Sequence, residues 1–434
     1  MRIVTGVTRT EFPIPRSRLN RTFRSLDDLD LRPTAIDLVA VKAGEASVKP
    51  SIVMFCPQFR PLIGGAERQA ERLAAALVRL GCRVTILTPR IDPDSPAREV
   101  ASGVFIERFP FTDLARRFPV PGIAVLNIPY ILWQIARAVR HRLDGAHVLH
   151  CHLASLQTVA AALAGRMARV PVICKAAVAA DRSDLGEIEK GGASGWLVAW
   201  LARALIQTWV ATTGAVEQAL IRAGVEPGRI VRIPNGVSLT EHRTDRAASD
   251  RVRRFLYLGR LATTAQRDLP TVVKAYDRLA QAHADVELAI VGAGNLFDDT
   301  RRLVDSCSAR DRITMPGFGQ PTKWFAWADC FVLPSRMEGL SNALLEAMSA
   351  GLPCIANDIP PNREVLADGA AGVLVPVGDE EDLYKAMERL AGDAVHADAL
   401  RSAALSRILS HYGLTTIADH YLAEYEVLIN NSAR

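Results

Sequence analysis

The sequence has no cysteine pair with the spacing of a metal site or a disulfide framework. Its 434 residues include seven cysteines, and no two of them form a Cys-x-x-Cys pair. The seven are Cys56, Cys82, Cys151, Cys174, Cys307, Cys330 and Cys354, and most of them lie in apolar, strand-like runs. We therefore expect buried free thiols in a reducing cytosol.

Long hydrophobic runs and a strong charge of either sign are also missing. No uninterrupted apolar run reaches the roughly 20 residues of a membrane span. The nearest, residues 196–214, contains Arg203 and Gln207, so we expect a helix that leads into a strand. Residues 1–33 are basic but hold no apolar h-region, which argues against a signal peptide. A net charge of +5 permits anionic ligands or an acidic membrane surface but indicates no nucleic-acid partner.

Familiar phosphate and metal motifs are incomplete. The stretch "VGAGNLFDD" has only Gly-x-Gly after its strand, and no Walker A sequence occurs. The two Asp-x-Asp pairs, Asp28 with Asp30 and Asp92 with Asp94, lie in the N-terminal extension and in a proline turn. We therefore expect neither a bound metal nor another cofactor.

What is present is an alternation of strands and helices over a length that suits two domains. "SIVMFC" reads as a buried parallel strand, a Gly64–Gly65 loop follows, and "AERQAERLAAALVRLG" reads as a helix. The pattern predicts an α/β protein with two Rossmann-like parallel sheets facing a central cleft. The predicted boundaries are an extension over 1–50, a first domain over 51–233, a polar linker over 234–254, a second domain over 255–411 and a C-terminal helix over 412–434, which we expect to return to the first domain.

Two glutamates stand out in "SRMEGLSNALLEAMSAGLP". Glu338 falls in a strand-to-helix loop, and Glu346 lies inside the helix that Ser341 is predicted to cap. Ligands of such folds bind at the carboxyl ends of the strands, where carboxylates can accept hydrogen bonds from the hydroxyls of an extended ligand. The alternative is a solvated helix whose acids are favoured near its N-terminus.

Positive charge and a histidine are predicted at the same cleft. Arg260 follows the strand "FLYLG", Arg267 lies in the next loop, and two guanidinium groups suit a diphosphate. Opposite them, the Gly64–Gly65 loop opens a helix whose N-terminus favours anions. His152 ends the strand "HVLHCH" and could donate to a substrate. The alternatives are a solvated arginine, a tight turn and a structural histidine.

In this order along the chain, "GGAERQAERLAAALVRLGCRVTILT", "RIPNGV", "FLYLGRL", "LAIVGAG", "MPGFG", "EGLSNALLEAMSAGLP" and "GVLVPVGD" resemble GT-B-fold retaining glycosyltransferases of family 4, also called glycosyl transferases group 1. The resemblance runs from Ser51 to the last helix and includes the family's E-x7-E signature. It implies metal-free transfer of a hexose from a UDP- or GDP-sugar to a glycan or lipid-linked saccharide in cell-surface polysaccharide synthesis.

The resemblance also implies residue roles. Donor contacts are implied at Gly64, Gly65, Arg260, Arg267, Gly317, Phe318, Glu338, Gly339, Leu340, Ser341 and Glu346. Glu346 would bind the ribose and Glu338 the transferred sugar. Arg267 replaces a family lysine at the diphosphate, and the turn at 317–319 would face the nucleobase. Catalysis is implied at His152, Glu338 and Arg260, with the departing phosphate rather than an enzymic nucleophile taking the acceptor proton.

Three alternatives and one surface hypothesis stay open. A nucleotide-sugar epimerase of the same fold would act without an acceptor, and a phosphorylase would need a pyridoxal-phosphate lysine. An inactive sugar-nucleotide-binding scaffold subunit would bind without transfer. Residues 115–143 place arginines beside apolar and aromatic residues. They suggest peripheral contact with the inner face of an anionic membrane; the alternative is an ordinary helix that covers the sheet.

Overall fold

A computed structural model describes residues 49–60, 64–117, 123–176, 184–190, 192–239 and 251–432. Nearly all of the predicted extension, including Asp28 and Asp30, lies outside these residues, as does most of the predicted linker. The seven cysteines are free thiols, and all but Cys307 are buried.

Two mainly parallel sheets form the chain, which confirms the predicted fold class. The first sheet has the strand order β3-β4-β2-β1-β5-β6-β7-β8 and the second has β11-β10-β9-β12-β13-β14. The strands are β1 Ser51–Phe55, β2 Arg83–Arg90, β3 Arg98–Ala101, β4 Val104–Pro110, β5 Val148–His152, β6 Val172–Ala176, β7 Thr208–Ala211, β8 Ile230–Arg232, β9 Arg254–Leu258, β10 Glu287–Val291, β11 Ile313–Gly317, β12 Cys330–Leu333, β13 Cys354–Asn357 and β14 Val373–Val375.

Helices cover the sheets because the central strands are buried on both faces; every residue of β5, β6 and β12, for example, is buried. The described helices are α1 Gly65–Arg79, α2 Leu114–Arg117, α3 Ile123–Arg142, α4 Leu156–Ala168, α5 Asp184–Glu189, α6 Gly192–Leu205, α7 Gly214–Arg222, α8 Leu269–Ala282, α9 Phe297–Asp305, α10 Pro321–Trp327, α11 Asn342–Ser349, α12 Pro360–Val365, α13 Glu380–Gly392, α14 Ala394–Arg407 and α15 Leu414–Ser432. As predicted, α6 leads into a strand. No helix in the described part of the chain is long and apolar enough to span a membrane.

One element was not predicted. Strands β3 and β4 pair antiparallel as a hairpin at the edge of the first sheet. Its turn is made by Ser102 and Gly103, which both have positive φ, 50° and 77°. Such a two-residue turn matches the right-handed twist of the paired strands, so "VASGVF" carried a hairpin signal.

The C-terminal helix α15 packs on the first domain. Its residues Ile417, Tyr421 and Tyr425 share one hydrophobic core with Ile52 and Met54 of β1. A π-helical segment, Ile408–Tyr412, separates α15 from α14, and Val237 bridges to Gly413 where the chain crosses between the domains. The second domain's core already includes Val252, three residues before the predicted boundary.

Candidate functional site

A cavity of about 570 Å³ lies between the two domains, at the carboxyl ends of both sheets. Most of the predicted site residues line it: Gly64, Gly65, His152, Arg260, Arg267, Phe318, Glu338, Leu340, Ser341 and Glu346. Gly317 and Gly339 do not. The chain therefore brings the predicted groups of both halves to one cavity.

Glu338 is held in the loop after β12 by two neighbours. Its Oε1 accepts a hydrogen bond from Ser335 Oγ at 2.8 Å and lies 2.9 Å from Arg267 Nη2. Arg267 Nη1 also donates to Ser335 Oγ at 3.1 Å. Arg267 therefore balances the charge of Glu338 and fixes the carboxylate, and its contact with a diphosphate stays a prediction.

Glu346 projects from α11 toward the first domain. Ser341 caps this helix by accepting a hydrogen bond from Leu344 N, which confirms the predicted N-cap. Glu346 Oε1 accepts a hydrogen bond from Arg72 Nη1 of α1 at 2.7 Å, and both side chains are largely buried. Arg72 was missed by the sequence analysis, although it lies four residues after Arg68 on the helix that opens at the glycine loop.

The glycine loop makes a close approach to the second domain. A Cβ on Gly65 would lie 2.8 Å from Asn342 Nδ2, whose amide donates to Gly65 O at 3.0 Å. A Cβ on Gly64 would lie 2.6 Å from Glu67 Oε2 and 3.7 Å from Arg260 Nη2. A larger residue at either position would require the Asn342 or Glu67 side chain to shift, so the two glycines allow close packing here.

Two guanidinium groups face the cavity from opposite domains. Arg260 follows β9 and is exposed, and Arg68 lies half-buried on the first turn of α1. Within the described residues neither side chain forms an ion pair. Together with the N-terminus of α1, they offer uncompensated positive charge to an anion. Arg68 was not among the predicted site residues.

His152 ends β5 and reaches the cavity with only 3% of its surface exposed. Its ring stacks on His150 with a centroid separation of 4.3 Å, and its Nε2 has no hydrogen-bond partner among the described residues. Burial, and secondarily the neighbouring Lys175, lower the pKa of His152 to about 3. The imidazole is therefore neutral near pH 7 and can donate or accept one hydrogen bond.

Further polar groups of the first sheet line the cavity and were missed. They are Lys175 of β6, Thr212 directly after β7 and Asn235 in the Pro-Asn-Gly turn after β8. Each stands at the carboxyl end of its strand, as His152 does. The rule that ligands meet such strand ends would have found them if it had been applied to every strand of the first sheet.

Hydrogen bonds join the two domains beside the cavity. Thr213 Oγ1 donates to Gly339 O at 3.1 Å, and Asn235 Nδ2 donates to Asn342 Oδ1 at 2.7 Å. Gly339 therefore contributes to the domain contact. Phe318 is 78% exposed at the cavity rim, next to Gly317 with its φ of +78°. The nucleobase contact of this turn stays a prediction.

Comparisons with known proteins decide the family. Residues 64–236 match the family described as glycosyl transferase 4-like domain, and residues 252–393 match glycosyl transferases group 1. The chain belongs to the GT-B glycosyltransferases of family 4. The match takes in the glycine loop, His152, Arg260, Glu338 and Glu346.

Characterised relatives of this glycosyltransferase are similar over most of its length. It is 26% identical to the phosphatidyl-myo-inositol mannosyltransferase of Mycobacterium leprae, over 88% of this chain and 98% of that one. It is 25% identical to the GDP-mannose:cellobiosyl-diphosphopolyprenol alpha-mannosyltransferase of Komagataeibacter xylinus, over 90% and 96%. It spans only 44% of the alpha-D-kanosaminyltransferase of Streptomyces kanamyceticus, at 28% identity.

Solved structures show the same fold. The Anabaena protein HepE, crystallised with UDP and glucose, superimposes with a TM-score of 0.67 at 17% identity, over 87% of this chain and 100% of that one. A sucrose-phosphate synthase from Thermosynechococcus elongatus gives 0.67 at 20% identity, over 88% and 100%. The chain therefore has the GT-B fold.

Proposed function

We propose that this glycosyltransferase moves a hexose from a UDP- or GDP-sugar to a lipid-linked saccharide, with retention of configuration, in cell-surface polysaccharide synthesis. One observation carries the proposal. Glu338 and Glu346 stand at a strand end and on the following helix of one domain, and they share a cavity with Arg260 and Arg68, which form no ion pair within the described residues. Carboxylates suit sugar hydroxyls, whereas guanidinium groups suit a diphosphate.

The donor would lie along the second domain. Glu346 would accept hydrogen bonds from the ribose hydroxyls, and Glu338, fixed by Arg267, would accept them from the transferred sugar. Breaking the sugar–phosphate bond leaves negative charge on the diphosphate. Arg260, Arg68 and the N-terminus of α1 would stabilise that charge. Because these groups supply positive charge where it develops, we propose that transfer requires no metal ion or other cofactor.

Retention would follow from attack on the same face that the diphosphate leaves. Ser335 and Arg267 engage one oxygen of Glu338, which makes this carboxylate a poor nucleophile. The departing phosphate oxygen would take the proton of the acceptor hydroxyl. His152, neutral at pH 7, would hydrogen-bond a substrate hydroxyl through Nε2 and exchange no proton with it.

An apolar groove supports a lipid-linked acceptor. It has a volume of about 440 Å³ and is lined mainly by apolar side chains, among them Pro57, Ile128, Ile131, Leu132, Leu153 and Leu156. Leu153 lines both this groove and the main cavity. A hydrocarbon chain in the groove would place its attached saccharide at the cavity. Relatives named above act on phosphatidyl-myo-inositol and on a cellobiosyl-diphosphopolyprenol, which both join a saccharide or cyclitol to a lipid through phosphate.

An apolar helical surface on the first domain supports action at the cytoplasmic face of a membrane. Helix α4 packs against both α3 and α6. These three helices expose large apolar side chains: Leu126, Ile128, Trp133, Leu163, Met167, Trp196, Leu197 and Trp200. Arg137 lies 5.4 Å from the centroid of the Trp133 ring, and Arg140 and Arg166 are exposed nearby. Aromatic residues beside arginines suit the interface of an anionic bilayer.

A donor screen followed by product analysis tests the proposal. UDP-, GDP-, ADP- and dTDP-sugars are compared by thermal shift, and the one that stabilises the protein is incubated with lipid-linked acceptors. The anomeric configuration of the product is then read by proton NMR. We expect a UDP- or GDP-sugar to stabilise the protein and the product to keep the donor's configuration. An inverted product would overturn retention, and a donor sugar altered without acceptor would indicate an epimerase.

A further inference from the structure

Four polar side chains stand on four adjacent strands of the first sheet. His152 ends β5, Lys175 is the penultimate residue of β6, Thr212 follows β7 and Asn235 follows β8. They are 3%, 7%, 4% and 7% exposed, in that order, and all line the main cavity. His152 and Lys175 are direct neighbours across the pair of strands. The four form a polar row on the wall opposite the predicted donor site.

This row has hydrogen-bonding capacity that the described residues leave unused. His152 Nε2, Thr212 Oγ1 and Asn235 Oδ1 are buried without a partner there. Buried polar groups nearly always have a hydrogen-bond partner. Three buried atoms at one wall without such a partner among the described residues therefore point to a bound molecule that supplies it. A sugar ring, with hydroxyls that both donate and accept, fits such a row.

Lys175 adds a charge without a counter-charge. In the described part of the chain its Nζ contacts no carboxylate or hydrogen-bond acceptor, and only the Tyr421 ring of α15 lies close, with its centroid at 5.8 Å. The titratable groups that face it are His152 and His150 from β5 and Tyr421 from α15. Glu346 and Glu338, the carboxylates of the same cavity, are each paired with an arginine. A buried ammonium costs several kcal/mol unless an anion joins it.

The position of Lys175 favours the acceptor over the donor. Its carbonyl accepts a hydrogen bond from Leu153 N at 3.1 Å, and Leu153 is the residue shared by the cavity and the apolar groove. Leu153 has a φ of +72°, which is costly for leucine, and Thr158 Oγ1 donates to its carbonyl at 2.6 Å. The lysine therefore stands beside the junction through which a lipid-linked acceptor would enter. Arg260 and Arg68 already serve the predicted diphosphate.

We propose that Lys175, together with His152, Thr212 and Asn235, forms an acceptor subsite that selects a saccharide or cyclitol with an anionic group close to its accepting hydroxyl. The anion is a phosphate or a carboxylate about one ring from that hydroxyl, since Lys175 is the direct neighbour of His152 on an adjacent strand, and neighbouring strands lie about 4.8 Å apart. This inference rests on the proposed function and deepens it. It makes Lys175 a residue that determines acceptor specificity.

Ligand titrations of the full chain test this assignment. Inositol 1-phosphate, glucuronic acid and neutral myo-inositol are titrated by calorimetry with and without saturating UDP, against wild type, Lys175→Met and Lys175→Gln. Lys274→Met is the matched control, because Lys274 is exposed on α8. We expect wild type to bind at least one of the two anionic probes more than about tenfold tighter than myo-inositol. Both Lys175 variants should lose this preference and keep their affinity for UDP, and the control should behave as wild type.

The two anionic probes distinguish a phosphate from a carboxylate in the acceptor. The UDP titration distinguishes a failure of this assignment from a failure of the proposed donor site. Preference for inositol 1-phosphate indicates a phosphate, as in a phospholipid headgroup, whereas preference for glucuronic acid indicates a uronic acid in the acceptor. Equal binding of charged and neutral probes by wild type would overturn the proposal. So would a loss of UDP affinity in the Lys175 variants with unchanged anion preference, because Lys175 would then serve the donor. Failure of wild type to bind UDP would count against the donor assignment, whatever the anion arm shows.

A measurement on wild type alone guards against a variant that does not fold. With ¹³Cε-labelled lysine, the NMR signal of Lys175 is followed as pH changes, with and without the preferred anion. Burial lowers the pKa of Lys175 to about 7. An anion bound at Nζ would raise that pKa, whereas an unchanged titration at saturating anion would contradict contact with the lysine.

Discussion

Lys175 and His152 are buried beside each other, and both titrate far from their ordinary ranges. Burial lowers the pKa of Lys175 from 10.5 to about 7 and, with Lys175 as a second cause, that of His152 from 6.5 to about 3. Both side chains are favoured in their neutral forms by the fold. Keeping these two nitrogen groups at the cavity wall therefore lowers the free energy of unfolding at neutral and acidic pH.

The lysine makes stability depend on pH with a defined sign. Between pH 7 and 10.5 the unfolded chain binds a proton at Lys175 that the folded chain has released, so stability should rise with pH across this window. Lys175→Met should remove that rise and raise the free energy of unfolding at pH 7 by on the order of 4 kcal/mol. Urea denaturation of both proteins at pH 7 and pH 9.5 measures this. A variant less stable than wild type at pH 7 would mean that the amine has a stabilising partner.

Glu338 permits a direct test of sugar binding. Glu338→Gln keeps the size of the side chain but weakens its pairing with Arg267 and its acceptance of sugar hydroxyls. We expect kcat/KM for transfer to fall on the order of 100-fold. Glu381→Gln is the matched control, since Glu381 is exposed on α13 and pairs with Arg278. Steady-state kinetics with the donor found in the screen compares wild type, Glu338→Gln and Glu381→Gln. Unchanged kcat/KM in Glu338→Gln would show that Glu338 does not contact the transferred sugar.

Sequence patterns predicted several cavity residues from the place where a strand end meets a loop. Glu338, Arg260 and His152 were placed in this way, and the Ser341 cap followed from local chemistry alone. The partners of the glutamates could not be predicted. Arg72 reaches Glu346 from a helix 274 positions away in sequence, and only the tertiary arrangement brings the two together. Lys175 was missed because it lies in an apolar run, although its place at the carboxyl end of β6 was a usable signal.

Helix α15 connects the hydrophobic core of the first domain to the cavity. Its Tyr425 hydroxyl lies 2.7 Å from His150 Nδ1, and His150 stacks under His152. The helix therefore supports His152 through His150. The helix packs on the first domain, and the π-helical break at Ile408–Tyr412 that precedes it carried no recognisable signal in the sequence. The β3–β4 hairpin was missed because the strand pattern was read as parallel throughout.

Tyr425→Phe tests whether α15 positions His152. The change removes a buried hydrogen bond and leaves His150 Nδ1 unpaired, so we expect a loss of about 1–3 kcal/mol in the free energy of unfolding. It should also raise KM for acceptor more than KM for donor. Tyr384→Phe is the control, because the Tyr384 hydroxyl donates to Glu388 within α13 of the second domain, away from His150. Denaturant unfolding measures the free energy of unfolding, and steady-state kinetics measures KM for acceptor and for donor separately. Equal stability of wild type and Tyr425→Phe would contradict the proposal that Tyr425 supports His152.

In the part of the chain that the structure describes, two sheets share a cavity, and contacts beside it join the two domains. Arg72 with Glu346, Thr213 with Gly339 and Asn342 with Gly65 join the domains beside the predicted donor groups. Hydropathy and turn chemistry sufficed to predict the fold class, because each strand and helix has its own local pattern. The closeness of the domains depends on contacts between residues far apart in sequence, and no periodicity encodes it.

The apolar helical surface predicts membrane binding by the first domain. We expect the protein to float with liposomes that contain anionic lipid at low salt, and less at high salt, since arginines flank the exposed tryptophans. Replacing Trp196 and Trp200 by serine should reduce flotation severalfold. Val395→Ser is the control, because Val395 is 81% exposed on the second domain. No flotation at low salt would rule out this surface as a membrane contact.

Calorimetric titration of nucleotide sugars into wild type and Glu346→Gln tests the donor assignment most directly. Glu346 is buried at the cavity, and the proposed ribose contact requires its carboxylate. We predict that wild type binds a UDP- or GDP-sugar with one site and that Glu346→Gln weakens this binding more than about tenfold. Equal affinity in the two proteins, or no binding of any nucleotide sugar to wild type, would contradict the assignment.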